Sequence, residues 1–90
     1  MQVLFKQSFV KDFKVLPQEV KREVKKVCVE VFPKIKSLQE LSQYDVKQLN
    51  GFKNYYRIKL GNYRIGFKKE NNAITFMRVL DRKDIYRHFP

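Results

Sequence analysis

The feature that most constrains this chain is the alternation running from Tyr55 to Lys68, broken once, at Gly61-Asn62. Tyr56, Ile58 and Leu60 alternate with Tyr55, Arg57 and Lys59. Tyr63, Ile65 and Phe67 alternate with Arg64, Gly66 and Lys68. Two such runs joined by a Gly-Asn pair predict a tight β-hairpin. A two-residue turn then sets the register: Leu60 opposite Tyr63, Lys59 opposite Arg64, Ile58 opposite Ile65, Arg57 opposite Gly66 and Tyr56 opposite Phe67. Directly opposed residues share a face. One face is therefore apolar and suited to lie under helices. The other carries Arg57, Lys59 and Arg64, with Tyr55 and Lys68 further along. Opposed like charges destabilise a sheet, so Lys59 against Arg64, with no carboxylate among the cations, calls for an anion such as a phosphate. Gly66 opposite Arg57 leaves room for a ligand to approach the backbone. The competing reading is an ordinary solvent-facing strand with long, flexible side chains.

The flanks supply the rest of the fold. Val3 and Phe5 alternate with polar neighbours and predict a short first strand. Ser8 reads as the N-cap of a helix whose apolar residues are Phe9, Val10, Phe13 and Leu16. Pro17 opens a second helix, with Val20, Val24, Val27, Cys28 and Val31 on one stripe, and Pro33 stops it. Residues 34–54 are less decided: Ile35, Leu38 and Leu41 fit one further helical turn, and Asn50-Gly51 marks a turn. Asn71-Asn72 leads into the run Ile74–Val79, apolar on both faces as a central strand should be. A strict two-residue turn there would pair Ile65 with Arg78 and put Arg78 on the helix side. A longer or bulged turn, or a place at the sheet margin, would avoid this. If residues 82–88 are helical, Arg82 and Tyr86 lie one turn apart on the same side. The expected class is α+β in a single domain over 1–90: an N-terminal strand, two amphipathic helices, a three-stranded antiparallel meander and a short C-terminal helix.

Charge narrows the partners. The net charge is +11. Residues 1–45 hold nine Lys/Arg against six Asp/Glu, and residues 46–90 hold eleven against three, so the excess sits in the half that carries the hairpin. That asymmetry points to a polyanion. The lone cysteine, Cys28, allows no internal disulfide. No apolar run approaches a membrane span, and the N-terminus lacks the form of a signal peptide. A cytoplasmic protein with no membrane partner is the expectation. No Gly-rich phosphate loop is present. Glu70, Asp81 and Asp84 are surrounded by cations and joined by no histidine, so neither a metal nor another cofactor is expected.

The stretch Tyr56-Arg57-Ile58-Lys59-Leu60-Gly61-Asn62-Tyr63-Arg64-Ile65, followed by Val79-Leu80-Asp81-Arg82-Lys83-Asp84-Ile85-Tyr86, resembles the core signature of RelE-type toxins of bacterial toxin–antitoxin pairs. The element order fits over nearly the whole chain. The resemblance implies a ribosome-dependent endonuclease that cleaves mRNA in the decoding site without metal, and an antitoxin that covers the basic body. On it, Arg57 and Lys59 fall where the RelE branch has two strand lysines, Arg64 matches the arginine of the next strand, and Arg82 and Tyr86 match a C-terminal pair. Arg57 departs from the family lysine, and the Arg82–Tyr86 spacing is shorter than in the branch's best-known member.

RNA cleavage requires deprotonation of the 2′-OH, stabilisation of the phosphorane and protonation of the leaving 5′-oxygen. A single histidine excludes a histidine pair. Like charges around Lys59 would favour its neutral form, and a neutral amine can act as general base. Arg57 and Arg64 would hold the phosphate, Arg82 would stabilise the developing charge, and Tyr86 would orient or stack the nucleotide. His88 is the rival acid–base group. Arg78, Lys83, Arg87, His88, Tyr55 and Lys68 complete the expected RNA-binding surface, with ribosomal RNA as a further contact. Two other functions stay open: a gyrase-directed toxin of the ParE type, and a non-catalytic RNA-binding or antitoxin-docking domain.

Overall fold

The hairpin forms in the expected register, from Leu60↔Tyr63 through Tyr55↔Lys68. At its turn Gly61 takes φ +57, a value that costs glycine little and that a two-residue hairpin requires of its first central residue. The structure, a computed structural model, describes all residues from Met1 to Pro90.

Around this hairpin the elements run β1 (Gln2–Phe5), α1 (Gln7–Lys14), α2 (Gln18–Lys25), β2 (Asp45–Gln48), β3 (Tyr55–Leu60), β4 (Tyr63–Glu70), β5 (Ala73–Asp81) and α3 (Ile85–His88). The five strands form one sheet in the order β1-β5-β4-β3-β2. β1 pairs parallel to β5, and every other pair is antiparallel. The α+β class and the order of elements stand as read from the sequence. Residues 45–48, undecided there, add a strand that extends the meander at its β3 edge.

The helices cover one face. Ile58, Ile65, Phe67, Ile74, Phe76 and Val79 from the sheet meet Phe9, Val24, Val27, Cys28 and Phe32 in one core. Phe32 is its hub, set edge-on to Phe67 at 5.3 Å and to Phe76 at 5.0 Å. Fully burying a side chain of this size is worth about 1.5–3 kcal/mol. Pro33 does end the second helix, but over two turns. It has no N–H and crowds the carbonyl four residues back. The helix therefore widens to a π-turn at Lys26–Val31 and tightens to a 3₁₀ turn at Phe32–Lys34. Leu38–Leu41 is the further helical turn, also 3₁₀.

Two local expectations are corrected, and one open point is resolved. Ser8 does not cap α1. Lys6 holds that position, and the Ser8 hydroxyl donates to the Met77 carbonyl at 2.7 Å. That carbonyl lies on the part of β5 beyond β1, where no strand is present to pair with it. Second, the Asn71-Asn72 turn is tight, with Asn71 at φ +53, but the register shifts at Gly66/Phe67, so Gly66 faces Arg78 and Ile65 faces Val79. One residue is added at Met77. This keeps Phe76 and Val79 in the core and releases Arg78 from it. Third, the C-terminal helix is a single turn, Ile85–His88, and Arg82 precedes it in a turn. Arg82 and Tyr86 therefore do not share a helix face.

The second face of the sheet is covered too. Ile85 and Phe89 are buried there, apart from the helix-side core. A Cβ at Gly66 would lie 2.6 Å from the Phe89 ring. The room left by Gly66 is thus filled by the chain's own C-terminus, not kept for a ligand.

Gly66→Ala should expel that ring, because neither the strand nor the ring can yield by so much. We expect a loss of about 1–3 kcal/mol in denaturant unfolding and faster amide exchange at Ile85–His88. Unchanged exchange there would show that Phe89 does not hold the tail in place.

Candidate functional site

The cationic residues of the hairpin share the second face, and β2 adds to them. Asp45 lies opposite Lys59 and Lys47 opposite Arg57. Four cations, Lys47, Arg57, Lys59 and Arg64, therefore stand with one carboxylate. The expected absence of any carboxylate among them is corrected by this strand. Arg57 Nη1 donates to the Asp45 carboxylate at 3.1 Å and to its carbonyl at 3.0 Å. The hydrogen bond from Arg57, its charge, and the weaker fields of Lys59 and Arg64 hold the Asp45 carboxyl below its ordinary value. Asp45 offsets part of the repulsion among the cations, which was the sequence argument for a neutral Lys59.

The other predicted residues divide into three groups. Arg64 and Arg82 lie at the hairpin turn. The Arg64 guanidinium folds back to donate to the Gly61 and Tyr63 carbonyls at 2.8 and 3.0 Å. Arg82 N–H donates to the Asn62 carbonyl at 2.8 Å, which anchors the exit of β5 on the same turn. Arg57 and Tyr86 lie at the opposite end of β3. There they line a cleft of about 500 Å³ with Lys47 and Arg87, between the β2–β3 loop and the C-terminal tail. Lys59 stands between the two groups, exposed on the Arg57 face. The sheet brings all of these to one side, but along a track rather than around a point. Residues two apart on a strand are separated by about 7 Å.

Arg78 leaves the site. Asp12 accepts from its Nε at 2.7 Å and Nη2 at 3.0 Å, and from the Val79 N–H at 3.1 Å. That bond to Asp12 raises the Arg78 value further, against the cost of partial burial. Arg78 thus ties α1 to the free edge of β5 through an ion pair. Lys68 pairs with Glu70 at 3.3 Å and sits over the Tyr55 ring. Arg87 pairs with Asp84. Lys83 and His88 are exposed, and His88 does not line the cleft. Burial pushes the Cys28 thiol strongly upward, which keeps it protonated and unsuited to nucleophilic chemistry.

Lys47 and Asp45 were missed because β2 is four residues long. Its one clear signal, the Asn50-Gly51 turn ahead of the β3 alternation, implied a partner strand on its other side.

The family model described as the ParE toxin of the type II toxin–antitoxin system parDE matches residues 3–86. Toxin RelE3 of Methanocaldococcus jannaschii is 44% identical over 90 residues, the full length of both chains. The chain belongs to the RelE/ParE toxin superfamily.

Among solved structures, this RelE/ParE toxin is similar to a chain of the RelB–RelE antitoxin–toxin complex from Methanococcus jannaschii. The two are 41% identical, with a TM-score of 0.82, covering 97% of this chain and 99% of that one. The intact Escherichia coli RelBE toxin–antitoxin complex gives a TM-score of 0.67 at 21% identity, over 89% and 94% of the two chains, a likeness of fold alone.

Asp45 offers a direct check on the cationic face of this toxin. Its depressed value means that the Arg57 tie is present at neutral pH and is lost as pH falls through that value. By carboxyl ¹³C NMR, Asp45 in the native toxin should titrate below 3.8. In Arg57→Ala its midpoint should move up towards 3.8, because Arg57 is the main cause of the shift. An unmoved midpoint would place the cause elsewhere.

Proposed function

We propose that this toxin is an endoribonuclease that cleaves mRNA in the ribosomal A site and thereby arrests translation in the cytoplasm. The observation that carries this reading is the row of Lys47, Arg57, Lys59 and Arg64 on one sheet face, beside a cleft that presents Tyr86. A row of this kind suits a polyanionic backbone, with one phosphate at the reacting point and its neighbours along the track.

In this reading Arg57 exchanges Asp45 for the scissile phosphate, a trade of one oxyanion for another at the same Nη1. Arginine cannot give up its proton, and of the two amines in the row Lys59 is the one between Arg57 and Arg64, so Lys59 is assigned as the base. Lys59 takes the 2′-OH proton and the 2′-oxygen attacks phosphorus. The bond to the 5′-oxygen then breaks, leaving a 2′,3′-cyclic phosphate, and the departing oxygen takes its proton from solvent. Arg82, at the turn end of the row, stabilises the phosphorane charge, and Arg64, buried against the turn carbonyls, adds a fixed positive charge behind it. Tyr86 orients the nucleotide in the cleft. Lys83, His88 and the partly engaged Arg87, Lys68 and Tyr55 extend the surface towards mRNA and ribosomal RNA. The charge work is assigned to guanidinium and ammonium groups, so no metal enters the scheme. A cognate antitoxin is the protein partner, as in the solved RelB–RelE complexes of the relatives. It would cover the basic face with an acidic or amphipathic segment.

Primer extension on mRNA from cells expressing the toxin tests the reading. The wild type should arrest growth and create new 5′ ends inside coding regions. Arg57→Ala, Lys59→Ala and Arg82→Ala should each reduce those ends by about 10²-fold or more. Intact cleavage by Lys59→Ala would reject it as base. Because the matching family model is named for a ParE toxin, the second reading is a gyrase-directed toxin. Growth arrest with gyrase-trapped DNA breaks and no new mRNA ends would establish that reading instead.

A further inference from the structure

Phe52 has no part in the scheme above, yet it is 48% exposed and lines the cleft with Lys47, Arg57 and Tyr86. It is not a loose loop residue. Phe52 N–H donates to the Leu49 carbonyl at 3.2 Å, Tyr55 N–H to the Phe52 carbonyl at 3.1 Å, and Leu49 N–H to the Tyr55 carbonyl at 2.9 Å. The Gln48 side chain donates to the Lys53 carbonyl, and Lys69 N–H binds the Asn54 carbonyl at 2.9 Å. The 49–54 loop is thus pinned at both ends and in its middle. The Phe52 ring packs edge-on against Tyr55 at 6.2 Å, and Tyr55 against Phe89 at 5.8 Å. This aromatic row runs from the covered second face of the sheet out to the rim of the cleft, where the last ring is left in water.

A rigid, half-exposed ring beside two cations is the combination that binds unpaired nucleotides: a base stacks on the ring while the backbone phosphate meets the charges. The cleft volume, about 500 Å³, lies within the roughly 300–1,000 Å³ typical of small-ligand sites. Tyr86, 58% exposed, bounds the same cleft from α3, so the two exposed rings come from different elements. We infer that this cleft is a subsite for one unpaired RNA nucleotide next to the cleaved bond, its base lying on Phe52 and its phosphate on Lys47 and Arg57. The inference rests on the reading of this face as an RNA surface and names the element that grips a base. Stacking is tolerant of sequence, so Phe52 sets affinity and placement rather than strict base identity.

The probe is a 2′-O-methyl RNA tetranucleotide, which cannot be cleaved, carrying 2-aminopurine. Its fluorescence falls when the base stacks. A second probe has the same backbone with an abasic site. The wild type should quench the first probe. Phe52→Ala should lose the quenching and bind that probe about 5- to 150-fold more weakly, the range expected for one stacked base. Phe52→Tyr should retain both properties, and both variants should bind the abasic probe as the wild type does. Quenching and affinity unchanged in Phe52→Ala would overturn the inference. So would equal binding of both probes by the wild type, an outcome that would leave the anion-binding face itself intact. Cleavage of ribosome-bound mRNA by a wild type that binds neither probe would reject the subsite and spare the nuclease reading.

Discussion

The contact between Phe89 and Gly66 sets the geometry of the functional face. Gly66 sits in mid-sheet between Arg57 on β3 and Arg78 on β5. Its missing side chain is the gap into which the Phe89 ring is pressed. That seat draws the C-terminal tail back across the sheet and leaves Tyr86 and Arg87 at the edge of a cleft whose other wall is the β2–β3 loop. The second face of the sheet is thus divided: an apolar plug over β4 and β5, and a cationic track over β2, β3 and the hairpin turn. Where ion pairing and burial compete for one arginine, the bulge at Met77 settles it. Arg78 goes to Asp12 at the helix edge, and the track keeps Arg57.

Much of this was legible because strand periodicity and turn chemistry agree in the second half of the chain. Gly61-Asn62 between two alternating runs admits one register, and that register delivers Arg57, Lys59 and Arg64 to one face. The apolar stripe of α2 was equally plain, since valine after valine falls at helical spacing. Illegible features were of two kinds. Some elements are too short to show a period: β2, with four residues, and α3, with one turn. Others depend on contacts distant in sequence. Ser8 looks like a cap because its neighbours are helical, but its hydroxyl is taken by a carbonyl 69 residues away. Gly66 looks like an opening because nothing near it in sequence fills the space, and Phe89 comes from the far end of the chain.

The missed strand changes the electrostatics more than the fold. Three unopposed cations imply strong mutual repulsion. Four cations with Asp45 among them form a face that is charged yet internally tied, with Arg57 held in place before any ligand arrives. Asp45 then resembles a stand-in for phosphate. It presents an oxyanion to the same guanidinium nitrogen, and it is exposed enough to be displaced. Such preorganisation lowers the cost of fixing a flexible arginine at the moment of binding. Asp45 keeps the face ordered rather than neutral, and the excess of cations still favours a polyanion over a neutral ligand.

If this face breaks RNA by attack of the 2′-oxygen, the mRNA fragments must carry the ends that such an attack leaves. Purified toxin should be incubated with programmed ribosomes and the mRNA fragments analysed for their termini. Attack by the 2′-oxygen should give upstream fragments ending in a 2′,3′-cyclic phosphate, or the monophosphate formed on its opening, and downstream fragments beginning with a 5′-hydroxyl. Downstream fragments beginning with a 5′-phosphate, or mRNA left uncut on ribosomes that the toxin has inactivated, would contradict it.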